Sequence, residues 1–150
     1  DATLSIVGSN PTARVRALAS ATVRVAANLS DDALQARYRQ ARVAAVPLRC
    51  GAGVKLKVVE ALKEGLPLVT TPVGAQGLPG LAQVAGVCTD AASFADAVCA
   101  LLLDDALWRQ RCAAQLVYAR ERFSRSAFRR SLLTAVGRPP VRPARRSAAG

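Results

Sequence analysis

The chain carries 150 residues, with 21 lysines and arginines against 10 acids for a formal net charge of +11, no histidine and 51% hydrophobic residues. That content suits one compact domain with an ample core, offers no apolar run long or uncharged enough to span a bilayer, and shows no signal-peptide pattern. Without histidine the chain lacks the side chain best poised for proton transfer near neutral pH, and its four cysteines, Cys50, Cys88, Cys99 and Cys112, are too widely spaced for paired Cys-x-x-Cys knuckles, so no metal site is expected.

In chain order, residues 3–8 read as a strand, residues 11–19 as a helix capped by Asn10 with Pro11 in its first turn, and residues 22–27 as a second strand. Ser30 starts the next helix, where Asp31 and Asp32 suit the positive end of the dipole and Arg37 and Arg39 suit the negative end, before a strand over 43–47. A helix over 54–64 would turn Val54, Val58, Ala61 and Leu62 inward and leave Lys57 and Glu60 as an i, i+3 pair on another face, with Gly65 as its stop. Residues 66–71 form a short apolar run bounded by Pro72 and Gly74, as a buried parallel strand requires. A weaker strand over 83–88, helices over 91–103 and 106–122, and a last helix from a Ser124 cap to about residue 136 complete the pattern. Such alternation predicts an α/β fold, a parallel sheet with helices on both faces as in doubly wound nucleotide-binding domains, over residues 1–136. Residues 137–150, rich in proline and with four arginines, have little to bury and are expected to be disordered. Cys99 and Cys112 fall in apolar helical patterns and read as reduced core residues, whereas Cys50 reads as a partly exposed thiol or as loop filler.

Chemistry concentrates in residues 47–78, PLRCGAGVKLKVVEALKEGLPLVTTPVGAQGL. Gly51 and Gly53 allow close backbone approach to a ligand just before a helix whose free N–H groups attract anions, and Arg49, Lys55 and Lys57 bracket that helix start. A second loop, Gly74, Ala75, Gln76 and Gly77 followed by Leu78, lies at the carboxyl end of the next strand, the edge at which open α/β sheets bind ligands. The outline is that of a phosphate-and-sugar site. The plainer readings are an ion-paired surface Glu60, ordinary surface lysines, and glycines that serve turn geometry alone.

This stretch resembles the donor-site signature of family 4 glycosyltransferases, the retaining, sugar-nucleotide-dependent enzymes of the GT-B fold, in the branch reading Pro-x-Arg-x-Gly-x-Gly-x-x-x-Lys-x-x-Glu-Ala-Leu. The resemblance extends upstream through VRVAANLSDDALQARYRQARVAAVPL, similar to the family's strand, "sd-x-x-l-x-x-x-y-x-x-a" helix and strand, and downstream to the helices near Phe123. It implies a Rossmann-like fold, the C-terminal, donor-binding half of a GT-B enzyme. By the same resemblance Glu60 would accept hydrogen bonds from the nucleotide ribose. Arg49 and Lys57 would stabilise charge on the leaving diphosphate, Lys55 would lie beside them, and Gly51, Gly53 and the backbone of Gly74, Ala75, Gln76, Gly77 and Leu78 would face the donor. One departure stands out: the second acid that many relatives carry eight residues before the ribose glutamate is Ala52 here.

The resemblance further implies a nucleotide-diphosphate sugar as substrate with no obligatory cofactor or metal, and a glycan or lipid-linked acceptor held by another domain. A cytoplasmic protein with peripheral contact to an anionic membrane would suit the basic charge. The chain has no methionine and opens on Asp1 almost directly in a strand, so a fragment lacking the family's first strand and loop, and inactive in isolation, is expected. Three rival readings remain open. Ala52 suggests a degenerate, non-catalytic nucleotide-binding module. The arginine-rich ARERFSRSAFRRS suggests a nucleic-acid-binding domain, although no nucleic-acid motif accompanies it. A dinucleotide-dependent oxidoreductase is opposed by IVGSNPTA, which lacks Gly-x-Gly-x-x-Gly.

Overall fold

The computed structural model describes residues 2–137. Strands and helices alternate through β1 (Leu4–Gly8), α1 (Ala13–Arg16), β2 (Val23–Ala27), α2 (Asp31–Gln40), β3 (Ala44–Val46), α3 (Leu56–Lys63), β4 (Leu68–Thr70), α4 (Leu81–Val84) and β5 (Gly86–Val87). Three helices follow, α5 (Ala91–Leu103), α6 (Asp105–Phe123) and α7 (Arg125–Ala135). The fold is mixed α/β with parallel sheets flanked by helices, as the alternation predicts. Its strands divide into two sheets, however: β1 pairs with β2, and β3, β4 and β5 pair in that order. Of the tail expected over 137–150, all but Gly137 lies outside the described residues.

Side-chain caps place most helix starts where the sequence puts them. Ser30 accepts from the Ala33 amide, Asp90 from Ser93, Asp104 from Leu107 and Ser124 from Ala127, each filling one orphan donor of a first turn. The expected helix over 11–19 is shorter and starts later. Thr12 rather than Asn10 caps α1, through its hydroxyl on the Val15 amide at 3.3 Å, and Asn10 instead adopts a φ of 49°. Asn10 therefore makes a turn, and Pro11 precedes the cap.

The strand expected over 83–88 is mostly a helical turn. Gly80, at φ +79°, turns the chain so that Leu81, 1% exposed, enters the core at the start of α4, and only Gly86 and Val87 are left to pair with β4. Cys99 is another correction, being exposed rather than buried. Helix α5 is apolar on nearly every side, so its composition cannot say which face turns inward, and Leu101 is the residue it buries. Cys112 is partly buried, and that burial raises its thiol pKa.

The core centres on α3. Val58, Ala61 and Leu62 are fully buried, as are Leu68 and Val69 of β4. This is the inward stripe that helical spacing predicts, except that Val54 falls before the helix and is 52% exposed. Helix α6 covers α3 closely: a Cβ at Gly65 would lie 2.7 Å from Leu116 Cγ, and Gly65 at φ +67° also turns the chain out of α3. Trp108 of α6 donates its indole N–H to the Arg42 carbonyl at 2.7 Å, while the Arg42 guanidinium covers its ring and binds Asp105. Further along α6, Gln115 Nε2 reaches the Val84 carbonyl and the Tyr118 hydroxyl reaches that of Pro79, both at 3.1 Å. By contrast β1 and β2 bury no residue, although parallel strands are normally covered on both faces. No helix among the described residues is long and apolar enough to cross a membrane.

Because Leu62 sits without exposure where α3 meets β4 and α6, Leu62→Ala leaves a cavity that surrounding elements cannot close. We expect a loss of about 3 kcal/mol, read from the urea unfolding midpoint.

Candidate functional site

The first loop runs from the end of β3 to the start of α3. Gly51 and Gly53 hold φ values of 126° and 70°, conformations closed to most L residues. Because Gly53 is left-handed and Lys55 extended, the helix begins at Leu56 and not at the expected residue 54. Lys55 occupies the cap position without capping. Its side chain folds back, donating from Nζ to the Gly53 carbonyl at 2.6 Å and to Gln76 Oε1 at 3.4 Å, and so ties the first loop to the second. Among the described residues, no protein group accepts a hydrogen bond from the amides of Gly51, Gly53, Val54, Leu56 and Lys57. A cluster of free N–H groups thus lies at a helix start with Lys57 and Arg49 exposed beside it, neither engaged in an ion pair among the described residues.

The second loop follows β4 and is built differently. Thr70 donates its hydroxyl to the Val46 carbonyl at 2.9 Å, and Thr71 donates to Leu48 while accepting from the Gly74 amide at 3.3 Å. The two threonines thereby hold the ends of β3 and β4 together. Gly74 is buried against them, and a Cβ there would collide with Thr70 Oγ1. Gly77, at φ +74°, packs on the first loop, where a Cβ would lie 2.7 Å from Val54 Cγ2. The amides of Gly74, Ala75, Gln76 and Leu78 are bonded within the loop, to Thr71 Oγ1 and to the carbonyls of Thr71, Val73 and Ala75. Among the described residues that leaves the Gly77 amide without an acceptor, and Leu78 itself is a core side chain, 4% exposed.

Glu60 lies four residues into α3, about 6 Å along the axis from the helix start. Lys57, the partner expected from i, i+3 spacing, makes no ion pair with it among the described residues. The contact comes instead from Tyr38 of α2, whose hydroxyl donates to Glu60 Oε2 at 3.2 Å. Burial, then the negative charge of Glu60 and the hydrogen bond to it, push the Tyr38 pKa up to about 12. One residue on, Arg39 pairs with Glu64 at 3.4 Å, a second tie between α2 and α3.

No motif in the sequence gives Tyr38, Thr70 or Thr71 a role of its own. The tyrosine stood in the matched helix pattern, and two threonines ending an apolar strand were the available sign of the others. A separate cavity of about 300 Å³ opens between Gly77, Leu78 and the junction of α6 and α7, lined also by Arg122 and Arg130, and does not include Lys55 or Glu60. No group of three or more metal-ligating side chains occurs among the described residues.

Glycine loops at the carboxyl ends of adjacent parallel strands, with free amides and cations at a helix start, lie at the edge where α/β domains bind ligands and would suit an anion. The chain belongs to the glycosyl transferases group 1 family, which it matches over residues 1–104. Its role is accordingly glycosyl transfer. No curated protein matches it.

Two outcomes test this geometry. Gly74→Ala should destabilise the fold by about 2 kcal/mol through overpacking, and most of that cost should vanish in a Thr70→Ala background, which a double-mutant cycle of unfolding free energies measures. Tyr38 holds its proton more tightly in the folded chain than at its ordinary value of 10.0, so its contribution to stability is whole below pH 10 and is lost as pH rises through 12. Urea midpoints across that window should fall less steeply in Tyr38→Phe than in the wild type.

Proposed function

We propose that this chain is the donor-binding domain of a retaining family 4 enzyme of the GT-B fold, which moves a sugar from a nucleotide-diphosphate donor to a glycan or lipid-linked acceptor. The observation that carries this reading is the cluster of unpaired amides at Gly51, Gly53, Val54, Leu56 and Lys57, bordered by Arg49, Lys55 and Lys57. Such a cluster favours a diphosphate. As the glycosidic bond breaks, negative charge grows on the departing diphosphate, and fixed amides and cations stabilise that state more than the ground state. Arg49 and Lys57 supply charge there. Lys55 holds the two loops in register, and exchanges its Gln76 contact for a phosphate oxygen when the donor arrives. Glu60 accepts hydrogen bonds from the ribose hydroxyls. The second loop shapes the sugar side, with Gly77 offering its amide and Gly74, Ala75, Gln76 and Leu78 setting the turn.

No metal or cofactor enters this scheme, because the charge on the diphosphate is met by amides and cations. The acceptor binds across a cleft formed with a further domain. The excess of basic residues would favour peripheral contact with an anionic membrane at its cytoplasmic face. Ala52 favours one second reading, a module that keeps the nucleotide and has lost transfer, because the acid many relatives direct at the donor sugar is absent.

Calorimetric titration with UDP, GDP and ADP and their sugar conjugates tests the proposal. One nucleotide should bind saturably, and Glu60→Ala should weaken it by roughly 10- to 100-fold, the range for losing hydrogen bonds to a charged group. Unchanged affinity in Glu60→Ala would remove Glu60 from the site. Turnover by the intact protein separates the enzyme from the non-catalytic module.

A further inference from the structure

We infer that Tyr38 is a positioning residue for Glu60, its phenol reaching from α2 to hold one carboxylate oxygen so that the other stays available to a ribose diol. The inference rests on the reading of Glu60 as the ribose acceptor and adds to it a residue to which no role has been given.

A glutamate on a helix surface ordinarily samples several rotamers, and ordering it for a ligand costs side-chain entropy. Glu60 is partly buried, and among the described residues neither lysine nor arginine restrains it. Arg39, next in sequence to Tyr38, pairs with Glu64 instead. The hydrogen bond from Tyr38 at 3.2 Å is the contact that fixes the carboxylate, and among the described residues nothing donates to Glu60 Oε1. Toward a carboxylate a phenol can only donate. A phenol is neutral near pH 7 at its ordinary value of 10.0, and burial beside Glu60 raises this one further, so it stays a donor.

The acceptor arithmetic leaves room for the ligand. An ionised carboxylate offers about four lone-pair sites, Tyr38 takes one, and the remainder suffice for two vicinal hydroxyls. Tyr38 itself is anchored, since its ring packs against the core beneath α3 and the adjoining Arg39 ties the same turn of α2 to Glu64. The phenol is therefore placed before any ligand arrives, the condition for lowering the cost of ordering Glu60 on binding. A tyrosine that served packing alone would leave its hydroxyl unnecessary, and the two roles separate on that atom.

The test compares, in the intact protein, the nucleoside diphosphate that binds best among UDP, GDP and ADP with its 2′,3′-dideoxy counterpart, and takes the ratio of the two dissociation constants. Removing the diol should cost the wild type at least tenfold in affinity. Tyr38→Phe should reduce that ratio about fivefold while leaving the dideoxy constant within twofold of wild type. Arg39→Ala, which loosens the same helix contact without touching the phenol, should leave the ratio unchanged. If Tyr38→Phe keeps the wild-type ratio while Glu60→Ala abolishes it, the positioning role is wrong and the ribose role of Glu60 stands. If Arg39→Ala lowers the ratio as much as Tyr38→Phe, helix docking and not the phenol is responsible, and the inference fails. A ratio unmoved by Glu60→Ala removes the ribose reading, and this inference with it.

Discussion

Everything at the site depends on the burial of one face of α3. Val58, Ala61 and Leu62 are sealed between β4 and α6, and Gly65 lets Leu116 close over the end of the helix. Full burial of those side chains is worth several kcal/mol, far more than any single contact at the surface. Once that face is committed, Glu60 is turned toward Tyr38 of α2. The apolar stripe thus aims the polar groups.

The two glycine loops then divide the labour according to how their backbones are satisfied. The second loop closes on itself through the Thr71 hydroxyl and successive turns, so its shape is set before any ligand is present. The first leaves a run of amides unpaired beside a basic rim. Unpaired N–H groups are tolerated where water or an anion can reach them, and they are costly elsewhere. In the proposed reading the first loop is the side that meets the ligand and the second its frame, and Lys55 joins the two.

Membership of the glycosyl transferases group 1 family is compatible with this division; for the proposed donor, a departing diphosphate would call for fixed positive potential more than for a proton carrier. A chain without histidine can supply that. The opposite end of the chain is less constrained. Strands β1 and β2 bury nothing, and their pairing is carried by backbone hydrogen bonds, whereas β4 is buried along its whole length. Packing, and with it resistance to unfolding, is concentrated where the glycine loops are.

Periodicity and punctuation in the amino-acid order suffice for the α/β class, the parallel strands, the caps at Ser30 and Ser124, the inward stripe of α3 and the glycine loops that interrupt it. These are local properties, set by residues within a turn or two of one another. The structure departs from the local pattern where a distant partner intervenes. Leu81 was drawn into the core and made a helical turn out of an expected strand, and α5, apolar all round, gave no sign of which side would face inward, so Cys99 was misplaced. The partner of Glu60 was hidden for the same reason. Spacing along α3 nominated Lys57, three residues away, but the folded chain supplies Tyr38 from 22 positions upstream. Which amides are left free, and which side chain holds the glutamate, are questions of hydrogen-bond accounting across the whole domain, and they have answers only once packing has brought separate elements together.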